Sequence, residues 1–146
     1  MRNMIALFTV LMIAIGGVNA ADEASLTIEL SGLAKAEGDV YISVYDNPDD
    51  WLGESTTARL AVVIGDALVD DLVIAKLELP PGDYAISIYY DVNDNGDLDT
   101  NFIGIPKEPV ALSNNAKAKF GPPKYKDAVF SLSSEGLTQR IEMKEI

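Results

Sequence analysis

The stretch Asp91-Val92-Asn93-Asp94-Asn95-Gly96-Asp97-Leu98-Asp99-Thr100-Asn101 holds four carboxylates and neither lysine nor arginine. Oxygen-bearing side chains fall on alternate positions: Asp91, Asn93, Asn95, Asp97 and Asp99. In a tightly curled loop, alternate side chains can converge on one point, and Gly96 permits the bend. The spacing follows the first nine places of a calcium loop, with oxygen donors around a hard cation. It departs at Phe102, which stands where such a loop carries its bidentate glutamate. The preceding segment also reads as strand rather than helix. The expectation is a strand-flanked calcium loop with Asp91, Asn93, Asn95, Asp97 and Asp99 as metal ligands. Waters, or Asp46, Asp49 and Asp50, would complete the set. Leu98 is expected to point into the core and anchor the loop.

Two other readings stand beside this one. Asn, Asp and Gly are also the commonest turn formers, so the loop can be a stack of side-chain-capped turns. Alternatively, Lys117, Lys119, Lys124 and Lys126, in a segment from Asn114 to Lys126 without acids, can neutralise it and leave no room for a metal.

Composition narrows the chemistry further. The chain has 146 residues with neither His nor Cys and a net charge of −12. That excludes a Ser-His-Asp triad, a thiol nucleophile, a histidine proton shuttle, disulfides and ordinary zinc or copper sites. Oxygen-ligated calcium, magnesium or manganese remains. The negative charge argues against nucleic acid as a partner. Arg2, an uncharged apolar run from Met4 to Ile15 and the small residues up to Ala20 read as a signal peptide, cleaved after Ala20. The expected mature domain is 21–146, periplasmic or secreted, with no membrane span after cleavage.

The elements that must position the loop follow from period-two alternation. Leu26/Ile28/Leu30, Val40/Ile42/Val44, Tyr84/Ile86/Ile88/Tyr90 and Leu137/Gln139/Ile141/Met143 each face one side of a half-buried strand. Ala58–Ile64 and Leu68–Leu79 read as strands around a Gly65-Asp66 turn, although a helix in 68–79 fits its periodicity as well. Ala128–Leu132 is a further short strand. Turn signals at Gly38-Asp39, Asn47-Pro48, Pro80-Pro81-Gly82-Asp83 and Glu135-Gly136 separate the runs. The fold class is all-β: an antiparallel β-sandwich of about seven strands, immunoglobulin- or prealbumin-like. From Asn93 to Asp127 no pattern holds, which predicts a long irregular loop.

Within that loop, Ser113 to Phe130 interleaves lysines with Phe120, Tyr125 and Phe130 around Gly121-Pro122-Pro123. Lys117, Lys119, Phe120, Lys124 and Tyr125 are candidate partner-binding residues, toward a protein or a glycan. The competing reading makes Phe120 and Phe130 pins that hold a surface loop to the sandwich. Trp51 reads as a partly buried cap.

The run "PPGDYAISIYYDVNDNGDLDTNFIGIPKEP", followed by "SNNAKAKFGPPKYKDAVF", resembles the bacterial family called domain of unknown function 2141. Asp91, Asn93, Asn95-Gly96, Leu98-Asp99-Thr100-Asn101, Gly104, Pro106, Ser113-Asn114 and Phe120-Gly121-Pro122 carry the likeness. The resemblance implies an exported all-β bacterial protein and supplies no activity. The resulting expectation is a non-enzymatic module that binds calcium at Asp91–Asp99 and presents the 100–127 loop to a partner. The alternative is a hydrolase in which Asp91, Asp97 and Asp99 supply an acid–base pair for a glycoside or hold a metal that activates water.

Overall fold

The structure is a computed structural model, described here for residues 22–144; the expected leader, 1–20, lies outside them. Nine strands form two facing sheets: β1 (Ala24–Ser31), β2 (Asp39–Tyr45), β3 (Ala58–Val63), β4 (Leu68–Val69), β5 (Leu72–Leu79), β6 (Gly82–Asp91), β7 (Val110–Leu112), β8 (Phe130–Leu132) and β9 (Leu137–Glu142). One sheet has the order β4-β5-β1-β9. The other has the order β3-β2-β6-β7, with β8 also pairing with β6. The all-β sandwich expected from the alternation is the fold.

The alternation decides which face is buried. Leu26, Ile28 and Leu30 of β1 meet Val40, Ile42 and Val44 of β2 and Ile86 and Ile88 of β6 in one core, each at most 1 % exposed. Each such side chain contributes about 1.5–3 kcal/mol by leaving water.

Two details differ from the expectation. β1 and β9 run parallel, with Leu26 opposite Leu137, whereas the other pairs are antiparallel. Alternation reports burial and carries no sign of direction. The segment 68–79 is neither one strand nor a helix but a hairpin, β4 and β5, joined by Asp70-Asp71. Both turn residues have positive φ, +49° and +67°, as a two-residue hairpin turn demands.

The central pair β2/β6 fixes the ends of the sandwich. Asp39 is opposite Asp91, and Tyr45 is opposite Ala85. Asp91 therefore sits at the end where β2 begins, and Asp46, Asp49 and Asp50 follow β2 at the other end. They do not join the acidic loop. β7 pairs beside Ser87–Tyr89, so it divides the patternless region in two. Residues 92–109 form a loop at the Asp91 end. The chain from Ala116 to Lys124 returns at the Gly82 end, where β8 pairs with Gly82–Tyr84. The region from 100 to 127 is not one presented loop. Lys117, Lys119, Lys124 and Lys126 lie at the wrong end to neutralise the acids.

Tyrosines fasten the loops to this frame. The hydroxyl of Tyr45 donates to Gly53 O at 3.1 Å, Tyr84 to Pro80 O at 2.6 Å, Tyr89 to Gly96 O at 2.8 Å and Tyr90 to Glu37 O at 2.6 Å. Burial raises the pKa of all four above 10.0, opposed at Tyr45 and Tyr89 by the Arg59 charge. A raised folded pKa gives a contribution that is whole below the unfolded value and lost as pH rises through the folded one. Stability from these groups is therefore expected to hold up to about pH 10 and then to fall. The slope is at most about 1.4 kcal/mol per pH unit for each tyrosine ionised only when unfolded. Urea unfolding between pH 9 and pH 11.5 (about two units around the ordinary tyrosine value) checks this. A flat profile would mean the hydroxyls ionise alike in both states.

Candidate functional site

The acidic loop is built on the last residue of β6. Asp91 is 2 % exposed, and its carboxylate faces the loop's own backbone. Oδ1 accepts from Asn95 N at 3.2 Å and Oδ2 from Gly96 N at 2.7 Å. A charged acceptor suits backbone donors that the turn leaves without ladder partners. Asp94 at φ +55° and Gly96 at φ +77° turn the chain tightly enough to aim those two N–H groups back at Asp91.

A second buried carboxylate closes the loop from its far side. Glu108, 5 % exposed, accepts from Val92 N through Oε1 at 3.1 Å and from Asp99 N through Oε2 at 3.2 Å. The backbone of Lys107 donates to Asp99 O at 2.8 Å. Glu108 thus ties the start of the loop to its end. The sequence reading missed it, because Glu108 stands sixteen residues from Val92 and outside the donor spacing.

The loop lies against the outer face of the β3-β2-β6-β7 sheet. Tyr41 and Tyr89 project from that face and stack at 5.1 Å between centroids, 13° apart. Arg59 sits 5.4 Å over the Tyr41 ring, and its Nη2 donates to Tyr89 Oη at 3.0 Å. Tyr89 passes the connection on to Gly96 O. Tyr89, rather than Leu98, is the anchor: Leu98 is 36 % exposed and is not among the residues packed in or against the core. A loop that already covers two tyrosine rings gains no need of its own apolar plug.

Of the five residues expected as ligands, three come together. Asn93 Nδ2 and Asn95 Nδ2 both donate to the Asp99 carboxylate, the second at 2.9 Å to Oδ1. Asp91 is turned to the amides of residues 95 and 96. Asp97 stays exposed on the rim, its backbone N donating to Asn95 Oδ1 at 3.0 Å. Among the described residues no group of three acidic side chains is close enough to hold a metal ion by itself. Equally, the one ion pair among them is Arg140 with Glu29, at 3.0 Å, so no ammonium or guanidinium within 4 Å satisfies Asp94, Asp97 or Asp99.

Beyond Asp99 the chain makes a second tight feature. Asn101 Oδ1 accepts from Ile103 N and Ile105 N, both at 3.0 Å, and Asn101 N donates to Ile105 O at 2.9 Å. Thr100 and Pro106 pair across its base. This holds Phe102, fully exposed, with Ile103 and Ile105 at the tip.

The lysine-rich loop occupies the other end. Trp51 Nε1 donates to Pro123 O at 2.9 Å, and the indole meets Tyr45 and Tyr125 edge-on at 5.2 and 5.8 Å. Trp51 is the cap expected of it. Tyr125 is half-buried in this contact, and burial, with Asp46 and Asp83 adding to it, raises its pKa. Lys117, Lys119 and Lys124 are exposed. Phe130 is buried and pins the loop's exit, but Phe120 is fully exposed and pins nothing. Its backbone is left-handed, φ +53°, followed by Gly121 at φ +138°. That twist throws the ring outward at the apex.

Ser113 shapes the start of this loop. Fully buried, its Oγ donates to Ala128 O at 2.6 Å and accepts from Ile86 N at 2.8 Å, joining β6 to the chain after the loop. Asn114, at φ +57°, donates from Nδ2 to Val129 O at 2.8 Å. Among the described residues no helix is long and apolar enough to cross a membrane.

No curated protein and no solved structure matches the chain. Residues 28–140, which take in both sheets, both loops and the tyrosine and carboxylate clamps, match the family described as "Uncharacterized protein conserved in bacteria (DUF2141)", and the chain belongs to that family.

Proposed function

We propose that this chain works as an exported, non-enzymatic β-sandwich module with a task at each end. The Asp91–Asp99 loop takes a calcium ion weakly, and the 116–126 loop meets a partner through Lys117, Lys119, Phe120, Lys124 and Tyr125. One observation carries the calcium reading: Asp94, Asp97 and Asp99 crowd one short loop and, among the described residues, no cationic side chain lies within 4 Å of any of them. A hard divalent ion relieves that repulsion. The donors fit it in kind, being carboxylate and amide oxygens only. Asp99, Asn93 and Asn95 already meet, and Asp97 stands on the rim beside them. Asp91 and Glu108 then serve as the frame that keeps the loop curled.

Calorimetric titration of the mature protein with calcium tests the reading. The expected result is a single weak site with Kd on the order of 0.1–1 mM, and slower amide exchange across 92–101 when it fills. Magnesium is expected to bind less well, since it demands a stricter octahedron. Asp97→Asn/Asp99→Asn is expected to abolish both the heat and the calcium-dependent slowing of exchange. Titration without heat and without altered exchange would end the calcium reading.

A further inference from the structure

The partner loop has a chemistry that selects among partners. Resting on the reading that this loop meets a partner, we propose that the Phe120 apex binds an anionic polysaccharide, one carrying carboxylate or sulfate groups along a chain of sugar rings. Lys117, Lys119, Lys124 and Lys126 are all exposed, and among the described residues none pairs with a carboxylate within 4 Å. Phe120 stands fully exposed among them. Its left-handed backbone is a conformation that disfavours a bulky side chain, and it holds the ring outward rather than against the sandwich. Pro122 and Pro123 stiffen the return, and the Trp51 hydrogen bond to Pro123 O fixes it to the frame. The result is an outward-held aromatic ring flanked in the chain by exposed lysines.

Two features favour a sugar chain over other anions. The surroundings are acidic: Asp46, Asp49, Asp50 and Glu54 lie in the neighbouring loop, which Trp51 joins to Pro123. A flat anionic lipid surface would press against those carboxylates as well as the lysines, whereas a single extended chain touches the apex alone. The exposed ring is the second feature. Its electron-rich face attracts the polarised C–H groups of a sugar ring, while the ammoniums take the acidic substituents.

The net charge of −12 gives this binding an unusual salt signature. At about 0.01 M salt the screening length, roughly 30 Å, lets the whole negative protein repel a polyanion. At about 0.15 M it shrinks to roughly 8 Å, and the chain feels mainly the local lysines. Higher salt then weakens those contacts too. Affinity is expected to pass through a maximum rather than fall steadily.

The single tryptophan reports on the site, because its indole holds the loop. Its fluorescence is followed in the mature protein during titration with polygalacturonate, heparin, neutral dextran, polyglutamate and phosphatidylglycerol vesicles. Polygalacturonate and heparin are expected to bind, dextran not at all, and polyglutamate and vesicles at least about tenfold more weakly. Phe120→Ala is expected to lower glycan affinity about tenfold, an aromatic contact's worth. Lys117→Gln/Lys119→Gln is expected to lower it similarly and to flatten the salt dependence. Both changes are on exposed side chains, and an unchanged melting temperature confirms that each variant folds. Phe102→Ala, at the opposite end, is expected to bind as the parent does. Equal binding of polyglutamate or vesicles, lost in the same variants, would overturn the glycan assignment while leaving the loop a partner site. Variants without effect on any ligand would remove both.

Discussion

Asp91→Ala is expected to free the acidic loop and to cost the fold about 2–4 kcal/mol. The residue is 2 % exposed, and both its carboxylate oxygens face the loop's own backbone. Its two oxygens are the acceptors for Asn95 N and Gly96 N, and removing them leaves both donors facing a small cavity. Urea unfolding gives the energy, and hydrogen exchange at residues 95 and 96 locates it. Asp91→Asn separates charge from shape. The amide keeps one acceptor but turns an NH2 toward a backbone N–H, so its loss should fall between parent and alanine variant. Calcium divides this role from the rim's. The Asp91→Ala loop should exchange fast with or without the ion, whereas exchange in Asp97→Asn/Asp99→Asn should no longer respond to calcium. A stability within about 0.5 kcal/mol of the parent would mean the loop is held elsewhere.

The same residue shows what the sequence could and could not disclose. Asp91, Gly96 and the alternate donors marked the loop as special, and the loop is where the structure concentrates its buried carboxylates. The spacing alone could not say which way each oxygen points. A carboxylate in register with a metal loop is also in register with the N–H groups four and five residues on, and in this chain those amides hold Asp91. Glu108 gave no signal, because its two partners are remote in sequence and contact it through backbone atoms.

The strands were legible wherever alternation ran long enough, as in Leu26/Ile28/Leu30 and Tyr84/Ile86/Ile88/Tyr90. β7 was not, since three residues, Val110–Leu112, are too few to establish a period. That small strand had the largest consequence for function. It sends the acids to one end of the sandwich and the lysines to the other, so two segments that read as one loop became two separate surfaces. Exposure of aromatics was equally hidden. Phe120 and Phe130 stand ten residues apart in one segment, yet one is fully exposed and the other buried. The difference lies in the positive φ at residue 120, which composition does not announce.

The parallel pairing of β1 with β9 rests on two glycines, and Gly32→Ala is expected to be among the most damaging single-methyl additions in the chain. Gly32 follows β1 with φ +80°, where a Cβ would lie 2.4 Å from Met143 O. That oxygen belongs to backbone, and the adjacent Met143 N donates to Ser31 O at 2.8 Å, so neither side can yield without parting the strands. Gly136 repeats the arrangement at the other end of the pair: φ +83° and 2.8 Å from Ser25 O. Three alanine variants sort the causes. Gly65 has ordinary φ and nothing within 4 Å of the added carbon, so Gly65→Ala should be neutral or raise stability by up to about 1 kcal/mol. Gly104 has φ +83° but open space, so it should lose only the conformational cost, about 1–2 kcal/mol. Gly32→Ala adds the collision with a fixed carbonyl and should lose more than about 3 kcal/mol. Chemical denaturation of the three variants reads the order directly. If Gly32→Ala matched Gly104→Ala, the β1–β9 junction would have slack, and close approach of the two strands would not be what holds the parallel edge in register.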